Sequence, residues 1–193
     1  MNRNRLEAFS DGVMAIIITI MVLELVPPHE ATLEALIDLW PIFLSYVLSF
    51  VVIGIYWNNH HHLFQAVRFV NGQVLWANLH LLFWLSLLPF ATGWMGENAF
   101  ASLPVAVYGL DLLAAAIAYY LLVRALLRAQ PEGSAAPLAE ALGRDWKGRL
   151  SPVAYAVSVP IAFVAPWVSF GVYVAVALIW VVPDTRIERR VAG

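Results

Sequence analysis

The stretch Arg5-Leu6-Glu7-Ala8-Phe9-Ser10-Asp11, followed directly by GVMAIIITIMVLEL at positions 12–25, decides the fold of this chain. A polar opening leads into an apolar run of about 20 residues, the length that an α-helix needs to cross a bilayer. Charged groups at the mouth of such a helix are costly and need partners or a function. We therefore predict a first membrane span at 6–25 that ends before Pro27-Pro28. Because Glu7 and Asp11 interrupt its start, we expect it to be retained rather than cleaved as a signal peptide.

The composition extends this prediction to the whole chain. The 193 residues are 62% hydrophobic and 12% charged, with a mean hydropathy of +0.76. A soluble domain has roughly 25% charged residues, so the composition excludes disorder and argues against a soluble globule. There is no cysteine, which excludes disulfides, thiolate metal sites and cysteine nucleophiles. We predict an all-α integral membrane protein with a single domain over 1–193.

Six spans account for the apolar segments. We predict them at 6–25, 33–58, 73–92, 100–127, 150–165 and 169–182. Thr32 is a plausible N-cap for the second. Prolines interrupt the last two spans, which membrane helices tolerate when neighbouring groups satisfy the freed carbonyls.

The basic residues fix the predicted topology. All 11 fall before span one, between spans two and three, at or between the ends of spans four and five, or after span six. By the positive-inside rule this places both termini in the cytoplasm, as expected for a multi-pass protein of the cell (inner) membrane. Trp40, Trp94 and Trp167 fall near the opposite ends, where an aromatic belt is expected.

The first helix carries one distinctive stripe. At about 100° per residue, one face collects Arg5, Phe9, Gly12, Ile16, Thr19, Ile20 and Leu23. Asp11 points away from this stripe, and Ser10 lies off its centre. Because the rest of the helix is also apolar, periodicity does not say which face meets what. Two interpretations stay open: an ordinary bundle helix with an arginine anchor, or a helix whose stripe faces a special environment.

The pattern R-x-x-x-F-S-D, followed by G-V-x-A-I-x-x-T and an apolar run to Leu-Glu-Leu, resembles the signature of the transmembrane protein 175 family of endosomal and lysosomal potassium channels. The similarity continues in Tyr56-Trp57 with the following histidines, in Asn78 and in Leu87-Leu88-Pro89-Phe90. It covers spans one to three well, whereas spans four to six agree only in number and placement.

The resemblance implies an architecture and a pore. Family members with two six-span repeats dimerise, so a chain with one repeat is expected to form a homotetramer around four copies of span one. In the family, apolar side chains of that span make the constriction. Carried over by position, the pore-lining residues are Ile16, Thr19, Ile20 and Leu23. Potassium dehydrates more cheaply than sodium, so a narrow apolar ring would favour it, and such a ring can also close by dewetting. Glu24 would concentrate cations if it faced the outer vestibule, or form a solvated rim if it did not.

The motif also predicts a network between helices. Asp11 needs partners, and the candidates near the cytoplasmic ends of spans two and three are Trp57, His60, His61 and Asn78. We interpret this network, with Arg5, Phe9 and Ser10, as structural or gating. Consecutive histidines diverge around a helix and do not converge on one ion, so no metal site is expected. Asp111, in span four, is either a functional residue or a hydrogen-bonded bundle residue, and His80 is expected to be a packing residue.

The sequence therefore favours a potassium-permeable cation channel, with potassium as permeant, no cofactor, and the membrane lipid and other copies of itself as partners. The alternative is a proton-coupled secondary transporter that uses Asp11, Asp111 and a histidine as a relay. An enzyme is disfavoured because no nucleophile, metal or nucleotide-binding pattern is present. Nothing supports a nucleic-acid partner or a small-molecule substrate.

Overall fold

The computed structural model describes residues 3–67, 69–130 and 146–181, and within these it is entirely helical. The helices are α1 (Arg3–Leu23), α2 (Leu33–Ile37), α3 (Trp40–Gln65), α4 (Gly72–Glu97), α5 (Ser102–Ala129), α6 (Trp146–Ala162) and α7 (Pro166–Val181). The end of the sixth predicted span and several basic residues of the topology argument lie outside the described residues: Arg68, Arg144, Arg186, Arg189 and Arg190.

The predicted spans correspond to these helices with one correction. Thr32 is the N-cap of α2, as predicted, and its hydroxyl accepts a hydrogen bond from the Ala35 amide at 3.2 Å. The second span is not one helix at 33–58: α2 ends at Ile37, and α3 starts at Trp40 and runs on to Gln65. Pro41 explains the break: it has no amide hydrogen to bond the carbonyl one turn earlier, and its fixed backbone angle suits the first turn of a new helix.

Four segments of the described chain are long and apolar enough to cross a membrane. They are α1, the segment of α2 and α3 together, α4 and α5. Helices α6 and α7 are shorter than these four segments. Helix α7 is apolar over 16 residues, and α6 has 17 residues with prolines at positions 152 and 160. The described chain thus has four clear spans and two shorter helices.

Successive long helices run antiparallel. The basic residues that the structure describes lie at one end of the bundle, at the start of α1 and α6 and the end of α5. At the end that we call the basic end, α1, α4 and α6 begin and α3, α5 and α7 end. Two hydrogen bonds join neighbouring segments at this end. Arg3 Nη1 of α1 donates to the Val67 carbonyl at 3.1 Å, and Trp180 Nε1 of α7 donates to Ser151 Oγ of α6 at 2.8 Å. The packing order places α4 between α1 and α5, with α3 against α1 and α4, and α6 against α5 and α7.

At the opposite end, aromatic rings hold the loops. Phe100 is buried between Trp40, Trp167 and Phe170, with ring centroids 4.6–5.9 Å apart. Its φ is +60°, a left-handed conformation that is strained for a bulky residue. Burial of the ring in this cluster offsets that strain and fixes the turn between α4 and α5.

Candidate functional site

Helix α1 has a buried face and an exposed face in the single chain. Leu6, Ser10, Met14, Ile17 and Met21 are buried against the bundle. The stripe found in the sequence lies on the other side, and all its members are exposed: Arg5, Phe9, Gly12, Ile16, Thr19, Ile20 and Leu23. Ile16 is 59% and Leu23 74% exposed, so the four predicted pore-lining side chains are accessible from outside the chain.

Thr19 is the polar member of the exposed stripe. Its hydroxyl donates to the Ile16 carbonyl at 2.9 Å, one turn back along α1. A hydroxyl has one donor and two acceptor lone pairs. Because the proton is used within the helix, the oxygen keeps both lone pairs available to accept, as a cation ligand requires.

On the buried face, a directed chain of hydrogen bonds joins three helices. Asn78 of α4 lies at its centre: its Oδ1 is 2.8 Å from His60 Nε2 of α3, and its Nδ2 donates to Ser10 Oγ of α1 at 2.9 Å. Since an amide oxygen only accepts, His60 must carry its proton on Nε2 and donate. Ser10 then donates to the Leu6 carbonyl at 2.9 Å. All three side chains are fully buried, so this network fixes the position of α1 at the basic end.

A second interhelical bond lies beside the first. His61 Nδ1 is 2.9 Å from Glu7 Oε1, and Gln65 Nε2 is 2.7 Å from His61 Nε2. Because the glutamine amide nitrogen only donates, His61 accepts at Nε2 and donates at Nδ1 to the carboxylate. Trp57, 47% exposed, stacks on the His61 ring at 6.2 Å. The His61–Glu7 bond thus holds α3 against α1, and Trp57 packs on His61 from the same helix.

Asp11 does not take the place that we predicted for it. The structure brings Ser10, His60 and Asn78 together, but Asp11 Oδ1 is buried with no hydrogen-bond partner among the described residues. One residue turns the side chain by about 100° around α1, away from α4. Arg5 is exposed and likewise forms no hydrogen bond or ion pair within the described residues. Two of the motif's charged groups therefore have no hydrogen-bond or ion-pair partner among the residues that the structure describes.

Sequence reasoning missed the role of Glu7. The signal was present in its spacing, because Glu7, Ser10 and Met14 lie three and four residues apart and share one helix face. Outside the motif, the Glu24 carboxylate lies beside Gly93 of α4, where a Cβ added to the glycine would lie 3.2 Å from Oε2. It therefore leans toward α4 at the end opposite the basic end.

The remaining polar residues differ from each other in their environments. Asp111 is 6% exposed, and neither carboxylate oxygen has a partner among the described residues, contrary to a hydrogen-bonded bundle role. His80 is exposed and accepts a hydrogen bond from Trp84 Nε1 at 2.9 Å. The bond joins two side chains that lie one turn apart on α4.

Comparison with known proteins places this geometry in a family. The sequence model of the endosomal/lysosomal potassium channel TMEM175 family matches residues 5–89. A potassium channel of Chryseobacterium sp. (strain P1-3) is 52% identical over 189 residues, which are 98% of this chain and 97% of that one. The chain belongs to the TMEM175 family. The matched segment contains the exposed stripe, the Asn78 network and the Glu7–His61 bond.

The fold is similar to that of a solved member of the TMEM175 family. The crystal structure of a lysosomal potassium-selective channel TMEM175 homologue from Chamaesiphon minutus superposes with a TM-score of 0.80 at 30% identity, covering 93% of this chain and 96% of that one. The endosomal/lysosomal proton channel TMEM175 of Gallus gallus is 37% identical over 103 residues, 47% of this chain and 21% of that one. These relatives are channels rather than enzymes, and the present chain is a multi-pass membrane protein.

Proposed function

We propose that this chain is a potassium channel subunit whose conduction path is lined by the exposed stripe of α1 from four copies. The observation that carries the proposal is the orientation of α1: a polar network buries its opposite face and leaves Ile16, Thr19, Ile20 and Leu23 outward. Relatives over nearly the whole length of the chain are named potassium channels.

The exposed stripe of a single copy supports the proposed tetramer. A single chain has its stripe on the outside and encloses no path along α1. Closed cyclic symmetry is the common way in which identical chains bury one surface around an axis. Arg5 and Asp11, which have no partner in the described part of the chain, are well placed for contacts between copies. In this proposal the chain has six spans in the inner membrane, and the basic end, with both termini, faces the cytoplasm.

Selectivity arises from a narrow apolar constriction followed by one ring of oxygen ligands. At Ile16 an ion meets no ligand and must shed part of its hydration shell, which costs potassium less than sodium. One turn further, the exposed hydroxyl oxygen of Thr19, whose proton is donated to the Ile16 carbonyl, receives the partly dehydrated ion. The same isoleucine ring closes the path when it dewets.

The transporter alternative requires a proton relay, and Asp111 is its best candidate. Its carboxyl is buried on α5 without a hydrogen bond among the described residues. Helix α1, by contrast, packs on α3 and α4. No hydrogen-bonded path within the described residues joins Asp111 to His60, so the geometry favours the channel.

The proposal is tested by ion flux in liposomes that contain the purified protein and opposed potassium and sodium gradients. We expect the current to reverse near the potassium potential, without coupled proton movement. Ile16→Asn should raise conductance and reduce the preference for potassium, because amides hydrate any cation. The matched control is Ile117→Asn. This isoleucine is 44% exposed and belongs to α5, which contributes no residue to the stripe.

Two results would contradict the channel proposal. Proton-coupled uptake without a reversing potassium current would favour the transporter. Unchanged flux and selectivity in a correctly assembled Ile16→Asn protein would remove Ile16 from the constriction.

A further inference from the structure

A cavity of about 200 Å³ lies at the basic end between α3, α5, α6 and α7. It is separate from the exposed stripe, since no residue of α1 lines it. Two arginines from different helices stand at its rim: Arg124, near the end of α5, and Arg149, in the first turn of α6. A basic rim around an enclosed space in a membrane protein indicates a binding site for an anion.

The rim arginines retain free hydrogen-bonding capacity. Arg124 donates one bond, to the Tyr120 hydroxyl at 2.8 Å, and its guanidinium lies 5.7 Å from that ring's centroid. Arg149 forms no hydrogen bond within the described residues, and neither arginine pairs with a carboxylate there. Both side chains are exposed. A guanidinium has several N–H donors in a planar fork that matches phosphate.

The wall of the cavity is mostly apolar, although Asn59 and four tyrosines also line it. Val52, Val123 and Ala177 supply aliphatic surface. Ser151 Oγ donates to the Lys147 carbonyl and accepts from Trp180 Nε1, both at 2.8 Å. The aliphatic part of the wall therefore offers contact to a hydrocarbon chain, and the hydroxyl of Ser151 is already used within the protein.

We propose that this cavity binds an anionic phospholipid, with the phosphate between Arg124 and Arg149 and part of one acyl chain against the apolar wall. The occupant follows from charge complementarity at the rim and from the apolar interior, a combination that an amphiphile fits and a free phosphate does not. Because α3 and α5 border both this cavity and the packing around α4, the bound lipid would stabilise the bundle at the basic end. The site does not depend on where ions pass.

The test is native mass spectrometry of the full chain, delipidated and then titrated with phosphatidylglycerol or with phosphatidylcholine of the same acyl chains. The wild type should retain phosphatidylglycerol preferentially. The variant Arg124→Gln with Arg149→Gln should lose this preference, by about fivefold for each arginine removed. The matched control is Arg128→Gln, one turn further along α5, which is also basic and exposed but does not line the cavity; it should bind like the wild type.

A second experiment distinguishes binding of the whole lipid from binding of its phosphate headgroup alone. Ala116→Phe places a ring into the cavity wall and should reduce retention of both lipids, whereas glycerol phosphate should not compete with phosphatidylglycerol at equal concentration. Variants whose assembly has the same number of copies as the wild type in native mass spectrometry, and whose helical circular dichroism is unchanged, are folded. Equal retention of the two lipids by the wild type, an unchanged preference in the double variant, or competition by glycerol phosphate would each overturn the proposal.

Discussion

At the scale of single residues, Asn78 is the side chain on which the position of α1 depends. It donates to Ser10 and accepts from His60, so its amide uses both ends between three helices. Asn78→Leu should lower the free energy of unfolding by about 1–3 kcal/mol for each buried group left unpaired. The measurement is thermal unfolding in detergent. Asn58→Leu makes the same change at a half-buried residue with no hydrogen bond among the described residues, and it should leave the midpoint nearly unchanged. Equal losses from the two variants would contradict the role of the network.

Arg5 presents an electrostatic problem that a single chain does not solve. It lies on the same face as Ile16 and has no partner among the described residues, yet a fixed positive charge at the mouth would repel potassium. We expect its long side chain to turn sideways and bind a neighbouring subunit. Arg5→Ala should therefore shift the assembly from tetramer toward smaller species by size and mass. Arg5→Lys should restore it only in part, because lysine lacks the planar fork. Intact assembly with raised cation flux would instead make Arg5 an electrostatic gate.

The residue scale also shows what sequence could and could not predict. Ser10, Asn78 and the histidines were identified from the motif, but Asp11 was expected to be their partner. The motif gives the residue types and one helical face; it does not say which of two adjacent polar side chains points at α4. That choice depends on the rotation of α1 in the bundle, which is set by long-range packing of Met14, Ile17 and Met21. For the same reason periodicity defined the stripe and left its environment open.

Among the contacts between helices, α3 and α4 are tightly packed at Gly96. A Cβ there would lie 2.9 Å from the Ile42 Cα, a backbone atom that does not move aside as a side chain does. Gly96→Ala should therefore destabilise the protein by about 1–3 kcal/mol through overpacking, measured by thermal unfolding. Gly54→Ala is the control, because nothing lies within 4 Å of its Cβ position and alanine is the better helix former. A Gly96→Ala protein as stable as the Gly54→Ala protein would show that the helices separate at no cost.

The helix boundaries illustrate the same division between local and long-range information. Thr32 and Asn71 cap α2 and α4 through side-chain oxygens, and such caps are legible in the sequence. The break between α2 and α3 was missed because hydropathy is continuous across it. Pro41 was the available signal. The turn at Phe100 was not predictable, since its left-handed backbone depends on rings from three other segments.

In the whole molecule, copies of the chain must meet around α1 if the stripe is to line a conduction path. The exposed apolar stripe is the surface that this assembly covers, and Arg5 and Asp11 are its candidate contacts. We expect native mass spectrometry in mild detergent to give four copies of the 21.4 kDa chain. A monomer under conditions that preserve helicity would exclude a pore formed by four first helices.

Cysteine accessibility shows whether the stripe of α1 lines the conduction path, as we propose. The sequence has no cysteine, so each substitution introduces a unique thiol. In liposomes, a water-soluble thiol reagent should block potassium flux through Ile16→Cys and Ile20→Cys proteins. It should not block Ala15→Cys or Val22→Cys, which are exposed on α1 but lie off the stripe. Block at the second pair, with none at the first, would contradict the account and assign the stripe to lipid or to another subunit.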